Sequence, residues 1–224
     1  MLPITPGTLS LEEMSRLIGR PDPIILEIGC NDGTDTKRML EAFPQARIYC
    51  FEPDPRALAR FAVKDSRVVL VPMAVGNENG TTRFYPSEGL PSPLPAPEAA
   101  AVAARLPHGW DLSGSIRRPK LHLTQYPWCQ FGAPVKVPII RLDTWAATMS
   151  EERIDFIWAD VQGAEVDLIQ GGLDTLRRCT RFLYTEYNQR ELYEGQVGLE
   201  RILELLPEYD VVTRFSDDVL LRHR

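Results

Sequence analysis

The stretch Ile24–Thr36, IILEIGCNDGTDT, limits the fold more than any other. An apolar run too short for a helix carries Glu27 near its end and turns on Gly29 and Gly33. It then leads into a helical pattern, Thr34–Phe43. Strand, glycine turn and helix in that order open a βαβ unit. The rhythm repeats with strand-like runs at Arg47–Phe51 and Val68–Val71 and a helical stretch at Pro55–Val63. Near-continuous apolar strands of this kind belong to a parallel sheet covered on both faces. Ser10 with Glu13 forms a capping box, which places a leading helix at Leu11–Ile18.

After the turn-rich Gly76–Gly80, Thr81–Tyr85 reads as one more strand, and then the rhythm stops. From Pro86 to Pro138 the chain is proline-rich, with an alanine-rich helix candidate at Pro97–Arg105. A connection this long inside a compact domain is ordinarily a lid or a binding loop. Trp110, Leu121, Leu123, Tyr126, Trp128 and Phe131 give it apolar anchors that disordered segments lack. Alternation returns with a strand at Val135–Leu142, a short helix from Asp143, a buried strand at Ile154–Asp160, a helix at Ala164–Arg177 and a strand at Arg181–Glu186. A helix at Leu199–Leu205 and a hairpin of Tyr209–Thr213 with Val219–Arg222 complete it. The expected organisation is one α/β domain over residues 1–224, with 86–138 inserted as a lid or acceptor-binding segment.

The formal net charge of −6 repels phosphate backbones, so nucleic acid is not an expected partner. Cys30, Cys50, Cys129 and Cys179 are scattered, which argues against a zinc finger or a disulfide scaffold and for a reducing compartment. No basic-then-apolar leader opens the sequence, and no apolar run approaches the roughly 20 residues that span a bilayer. A cytoplasmic location without membrane contact is the expectation; oligomeric state is not readable.

In an open parallel sheet, ligands bind beyond the carboxyl ends of the strands, where Glu27 to Gly33 would lie. The spacing G-x-x-x-G is neither the dinucleotide fingerprint nor a P-loop. The loop is acidic, with Glu27 and Asp32, and Glu52 ends the second strand, where a carboxylate can accept hydrogen bonds from both hydroxyls of a ribose. A ligand with a ribose, no phosphate and a positive centre is S-adenosylmethionine. An NAD-linked Rossmann oxidoreductase is the rival enzyme class, disfavoured because the acids would face its pyrophosphate. A non-catalytic nucleoside-binding module is the third reading.

Five segments, LEIGCNDGTDT, YCFEPDP, VPMAVGNENGTTRFY, VPIIRLDTW and IDFIWADVQGAEVDLIQGG, together resemble the FkbM family of S-adenosylmethionine-dependent methyltransferases over residues 24 to 195. The resemblance implies a Rossmann-like seven-stranded methyltransferase sheet, mostly parallel with a reversed last strand, and O-methylation of small-molecule or carbohydrate hydroxyls. It puts Glu27, Gly29, Asn31 and Gly33 around the methionine end of the cofactor, Glu52 on the ribose with Pro53 shaping the turn, and Met73, Ala74 and Val75 around the adenine. Two positions depart from the family pattern: Glu27 stands where Asp is common, and Cys30 where a small Ala is common. The simplest reading of Cys30 is a buried small apolar residue.

An alcohol needs a base or a metal to become a nucleophile at neutral pH. Asp160 ends the fourth strand, with Gln162 in the following turn, both within reach of the cofactor; Glu165 opens the next helix, where its charge suits the dipole. Asp160 or Glu186 is the expected general base. The alternative is a divalent ion held by Asp160, Glu186 and Asn188, possible by residue type but not favoured. His108 and His122 fall in the insert and His223 lies near the last residue, all read as surface groups. In the insert, DLSGSIRRPKLHL resembles a family segment, and Ser113, Ser115, Arg117 and Lys120, together with Asn188, are candidate acceptor contacts. Trp110, Tyr126 and Trp128 could stack on a ring.

Overall fold

A computed structural model describes residues 3–90, 100, 104, 106–149 and 153–224. Helix α1 (Leu11–Ile18) starts where the capping box places it: the Ser10 hydroxyl accepts from the Glu13 N–H at 3.1 Å. Strand β1 (Ile24–Ile28), helix α2 (Thr34–Ala42), strand β2 (Arg47–Phe51), helix α3 (Pro55–Arg60) and strand β3 (Val68–Val71) follow. The other half of the main sheet is β9 (Ile154–Ala159), β10 (Thr180–Glu186), β11 (Tyr209–Arg214) and β12 (Asp218–His223). Seven strands lie side by side in the order β11-β12-β10-β9-β1-β2-β3. Every neighbouring pair is parallel except those of β12, which runs against β10 and β11. This is the mostly parallel sheet with a reversed last strand.

Alternate residues of each strand feed opposite layers, as the two-residue period of a strand requires. Leu26, Ile28, Phe51, Ile157 and Leu183 belong to one buried cluster, while Ile25, Ile48, Phe156 and Phe182 join Met14, Ile18 and Met39 in the other. Both faces are therefore covered, and only the strand ends are left to meet a ligand.

Thr81–Tyr85 does form a strand, but outside the main sheet. β5 (Gly80–Phe84) pairs antiparallel with β8 (Val135–Arg141), which also pairs with β4 (Ala74–Gly76) in a separate three-stranded sheet. β6 (Ser87–Gly89) and β7 (Cys129–Phe131) make a two-stranded ribbon, with the short α4 (His122–Gln125) just before β7. The helix candidate at Pro97–Arg105 lies almost wholly outside the described residues.

The single helix expected at Ala164–Arg177 is two: α6 (Glu165–Gly171) and α7 (Leu173–Cys179). The physical reason lies in α5 (Leu142–Ala146), whose Asp143 accepts the Thr175 N–H at 2.8 Å and so caps a new helix start. Glycines at 171 and 172 permit the break; a Cβ on Gly171 would stand 1.8 Å from the Gly76 carbonyl oxygen. Helix α8 (Leu199–Leu205) precedes the closing hairpin.

The insert is pinned at several points. Tyr85 and Ser115 form a bridge, as do Pro119 and Tyr193, and the Lys120 N–H donates to the Leu192 carbonyl at 2.7 Å. From α3, Arg60 pairs with Asp111 and Arg56 donates to the Ser87 carbonyl at 3.0 Å. Among the described residues no helix is long and apolar enough to cross a membrane.

Candidate active site

A cavity of about 260 Å³ opens at the carboxyl ends of β1, β2 and β9. Its floor is the turn after β1. Gly29 takes φ +93°, and a Cβ there would sit 1.9 Å from the Asp160 carbonyl oxygen, so only glycine lets β1 and β9 end this close together. The Gly29 and Cys30 N–H groups both donate to the Phe51 carbonyl, at 2.9 and 3.1 Å. Asn31 has φ +46° and its side-chain oxygen accepts the Asp32 N–H at 2.8 Å. Cys30 is buried, in keeping with a small apolar role.

Glu52 is 5% exposed and faces the cavity. One carboxylate oxygen accepts the Asn31 N–H at 2.8 Å and the other the Asp54 N–H at 2.7 Å, so its plane is fixed by main chain. Burial pushes its pKa up to about 7, against the lowering effect of those two donors. Glu27, 3% exposed, is less open than its place in the sequence suggests. It takes the Thr36 hydroxyl at 2.5 Å, lies 3.6 Å from the Cys50 sulfur, and is pushed well above the carboxylate range by burial, then by Cys50.

On the far side of β1, Asp160 sits on the cavity wall. The Gln162 side-chain amide donates to Asp160 Oδ1 at 2.6 Å and to Glu186 Oε2 at 3.2 Å, joining the two carboxyl groups. Gln162 has φ +51°, and its amide oxygen accepts from the Tyr193 hydroxyl at 3.2 Å; the same hydroxyl lies 2.8 Å from the Ser113 carbonyl in the insert. Burial raises Asp160 to about 6. Glu186 is pushed well above its usual range, first by burial and then by the charge of Asp160. Burial raises both carboxyl groups, which one amide joins, and each disfavours the charge of the other. Glu165 accepts the Gly163 N–H at 3.0 Å, which makes it a turn-closing residue, and burial lifts it to about 7.

Of the residues singled out in the sequence, Glu27, Gly29, Asn31, Glu52, Pro53, Met73, Ala74, Val75, Ser115, Asp160 and Gln162 line this cavity. Others do not. Gly33 caps α2 at φ +82°, where a Cβ would come within 2.7 Å of Val63 and 2.8 Å of Phe61, so it shapes the turn without lining the cavity. Asn188 spends its side-chain oxygen on the Arg190 N–H at 2.9 Å and is not part of the wall. Arg117 is in a two-pronged ion pair with Asp167, and Lys120 pairs with Glu191. Both cations are thus already paired with carboxylates of the chain, and neither is on the cavity wall. Trp128 packs edge-on against both Trp110 and Tyr126, and His122, buried rather than at the surface, packs against Tyr126, Phe131 and Tyr193. Among the described residues no three His, Cys, Asp or Glu side chains are grouped to hold a metal ion. Tyr193, Asp111 and Trp158 were missed. Only Trp158 carried a signal: it precedes Asp160 by two residues and so shares its face of β9.

The wall holds Glu27, Asp32, Asp35, Glu52, Asp54, Asp111 and Asp160, and among the described residues no Lys, Arg or His. That donor set fits S-adenosylmethionine: a buried carboxylate for a ribose, a glycine floor for close approach, and, among the described wall residues, no cation for a pyrophosphate. Sheet and cavity together define a Rossmann-like, S-adenosylmethionine-dependent methyltransferase. Residues 27–212 match the family described as Methyltransferase FkbM domain, and the chain belongs to that family. It is 48% identical to the 2-O-methyltransferase NoeI of Sinorhizobium fredii over 214 residues, covering 92% of this chain and 82% of that protein. Among solved structures it is similar to a putative type 11 methyltransferase from Sulfolobus solfataricus (12% identity, 95% and 90% of the two chains, TM-score 0.47). It is also similar to Aeropyrum pernix fibrillarin in complex with natively bound S-adenosyl-L-methionine (15% identity, 90% and 66%, TM-score 0.46).

Proposed function

We propose that this methyltransferase acts on oxygen, transferring the methyl group to a hydroxyl of a small-molecule or carbohydrate acceptor. The observation that carries the reading is Asp160: a carboxyl group raised to about 6 by burial, set on the cavity wall and joined through the Gln162 amide to Glu186. Its relation to a 2-O-methyltransferase at 48% identity supports the same chemistry.

When bound, S-adenosylmethionine supplies a methyl group activated by a sulfonium for in-line displacement. Glu52 accepts the ribose hydroxyls, with Pro53 turning the chain beside it; Met73, Ala74 and Val75 border the base; and Glu27, Gly29 and Asn31 surround the methionine end. Leu106, Leu112 and Ile116 of the insert border the cavity and offer apolar cover for a bound cofactor. Asp160 takes the acceptor proton as the new bond forms, and a base with a pKa near 6 is ionised yet still basic at neutral pH. Gln162 holds Asp160 in place and ties it to Glu186, whose carboxyl is pushed above its usual range by burial and by the Asp160 charge. Asn188 is not on the cavity wall and its side-chain oxygen accepts the Arg190 N–H, so we favour this route over a divalent ion on Asp160, Glu186 and Asn188. Turnover in excess EDTA is expected to be unchanged; its loss, restored by Mg²⁺, would reinstate the metal. A cytoplasmic setting fits four free cysteines, and a net charge of −6 fits a small acceptor rather than nucleic acid.

The test is release of S-adenosylhomocysteine on adding hydroxyl acceptors, with the product's new methyl group located on oxygen by NMR. Methylation on nitrogen or carbon alone would overturn the reading.

A further inference from the structure

The cavity wall has two parts. One is made by the turns after β1, β2 and β9, the other by Leu106, Asp111, Leu112, Ser115 and Ile116 of the insert. The insert is held unevenly against the rest of the chain. At residues 113–115 the links are firm: Tyr85 and Ser115 exchange main-chain N–H···O bonds of 2.7 and 3.2 Å, and the Tyr193 hydroxyl donates to the Ser113 carbonyl at 2.8 Å. At Asp111 they are incomplete. Asp111 is buried and pairs with Arg60 of α3, yet its Oδ1 and the Arg60 Nε both lack a hydrogen-bond partner among the described residues. His108 Nε2 stands 3.4 Å from Oδ1 without completing a hydrogen bond. The Asp111 carbonyl takes the Asn31 side-chain amide only at 3.5 Å, while the Asn31 N–H holds Glu52. A buried ion pair with unmet donors and acceptors recovers little of its desolvation cost, so it holds weakly for its depth.

We infer that the Arg60–Asp111 pair is a clasp that sets how fast S-adenosylmethionine enters and its product leaves: the insert pivots at residues 113–115 and parts from α3 at Asp111. Arg60 is not on the cavity wall, so it is a positioning residue that acts through Asp111. Helix α3 begins just past Glu52, whose carboxylate takes the Asp54 N–H, so the clasp ties the insert to the strand end that meets the ribose. One turn before Arg60, Arg56 donates to the Ser87 carbonyl at 3.0 Å, and both arginines of α3 thus reach the insert. The inference rests on the cofactor lying in this cavity and is independent of which atom receives the methyl group. A clasp that is mostly shut slows entry and exit alike, because only the open fraction exchanges ligand. Loss of a simple binding contact speeds exit alone.

Stopped-flow fluorescence on the full chain separates the two, with S-adenosylhomocysteine as the probe and Trp158 on the wall as the reporter. Arg60→Ala is expected to raise the association and dissociation rates together, each about tenfold, with Kd moved by less than about threefold. Arg60→Lys is expected to restore part of the slowness. Arg60→Ala combined with Asp111→Asn is expected to exchange no faster than Arg60→Ala alone, since both act through one pair. Lys120→Ala cuts an insert ion pair away from the wall and is expected to leave both rates as they were. Should the Asp111 variant fail to fold, amide hydrogen exchange decides: residues 106–111 are expected to exchange faster in Arg60→Ala, and residues 119–122 at the wild-type rate. Unchanged rates, a rise in dissociation alone, unchanged exchange at 106–111, or an equal response to Lys120→Ala overturns the clasp and leaves methyl transfer to oxygen standing. Failure of the wild-type protein to bind S-adenosylhomocysteine overturns both.

Discussion

At the β2 end of the cavity, the carboxylate of Glu52 is held by the N–H groups of Asn31 and Asp54, in turns directly after β1 and β2. At the β9 end, Asp160 is held by a side chain, Gln162, itself held by the hydroxyl of Tyr193 from beyond β10. Main-chain donors are fixed once the strands pair. A side-chain relay is fixed only when distant segments dock, and removing any member loosens the rest. The contrast predicts that substitutions at the two ends fail in different ways: loss of cofactor at one, loss of rate at the other.

Gly29→Ala, which touches both ends at once, is expected to do the most harm. A Cβ 1.9 Å from a carbonyl oxygen at φ +93° forces β1 from β9 and costs about 4 kcal/mol or more of stability. Thermal unfolding and titration with S-adenosylhomocysteine check it, and normal binding would show that the floor is softer than its geometry. Next is Asp160→Asn, expected to lower kcat by about a hundredfold to ten-thousandfold with cofactor affinity held. An intact rate would remove Asp160 from the chemistry.

Glu52→Ala should weaken cofactor binding by about 2–3 kcal/mol with a smaller effect on kcat. The same site sets a pH dependence. Below about 7 Glu52 is protonated in the empty cavity and loses acceptor capacity for the ribose, so affinity falls as pH drops through that value. Isothermal titration between pH 6 and 8 reads it directly. A subtler change, Tyr193→Phe, keeps the ring and removes the hydroxyl, at a cost of about 1 kcal/mol in rate. Its diagnostic is a displaced acid limb of the pH–rate profile, the outcome expected of a base that burial raises to about 6 and that this relay holds. Smallest of all, Lys120→Ala removes an exposed pair with Glu191 and should change stability by less than about 1 kcal/mol and activity not at all.

How much could be read in advance follows the same division. β1, β2, β3 and α8 are found at the residues the apolar runs mark, because each is a local pattern with nothing to compete with it. Glu52 and the glycine turn were likewise readable, since strand-end position alone aims them at the cavity. Arg117 and Lys120 were misleading because a cation's partner is chosen by tertiary contact: Asp167 and Glu191 lie far along the chain. The break at Gly172 was hidden for the same reason, as the cap that starts α7 comes from Asp143 on another helix. Tyr193 had no local signature; its role exists only after Gln162 and the insert meet it.

The reversed strand has a consequence for synthesis. β12 occupies an interior slot, between β10 and β11, although both neighbours are made before it. A nascent chain that has emerged only as far as Phe215 must hold β10 and β11 apart or leave each with an open, hydrogen-bond-hungry margin. Asp218, the companion of Glu186, arrives with that same closing strand. Translation therefore completes the main sheet only with its last segment, although every residue that lines the cavity, from Glu27 to Ala164, has been made well before it.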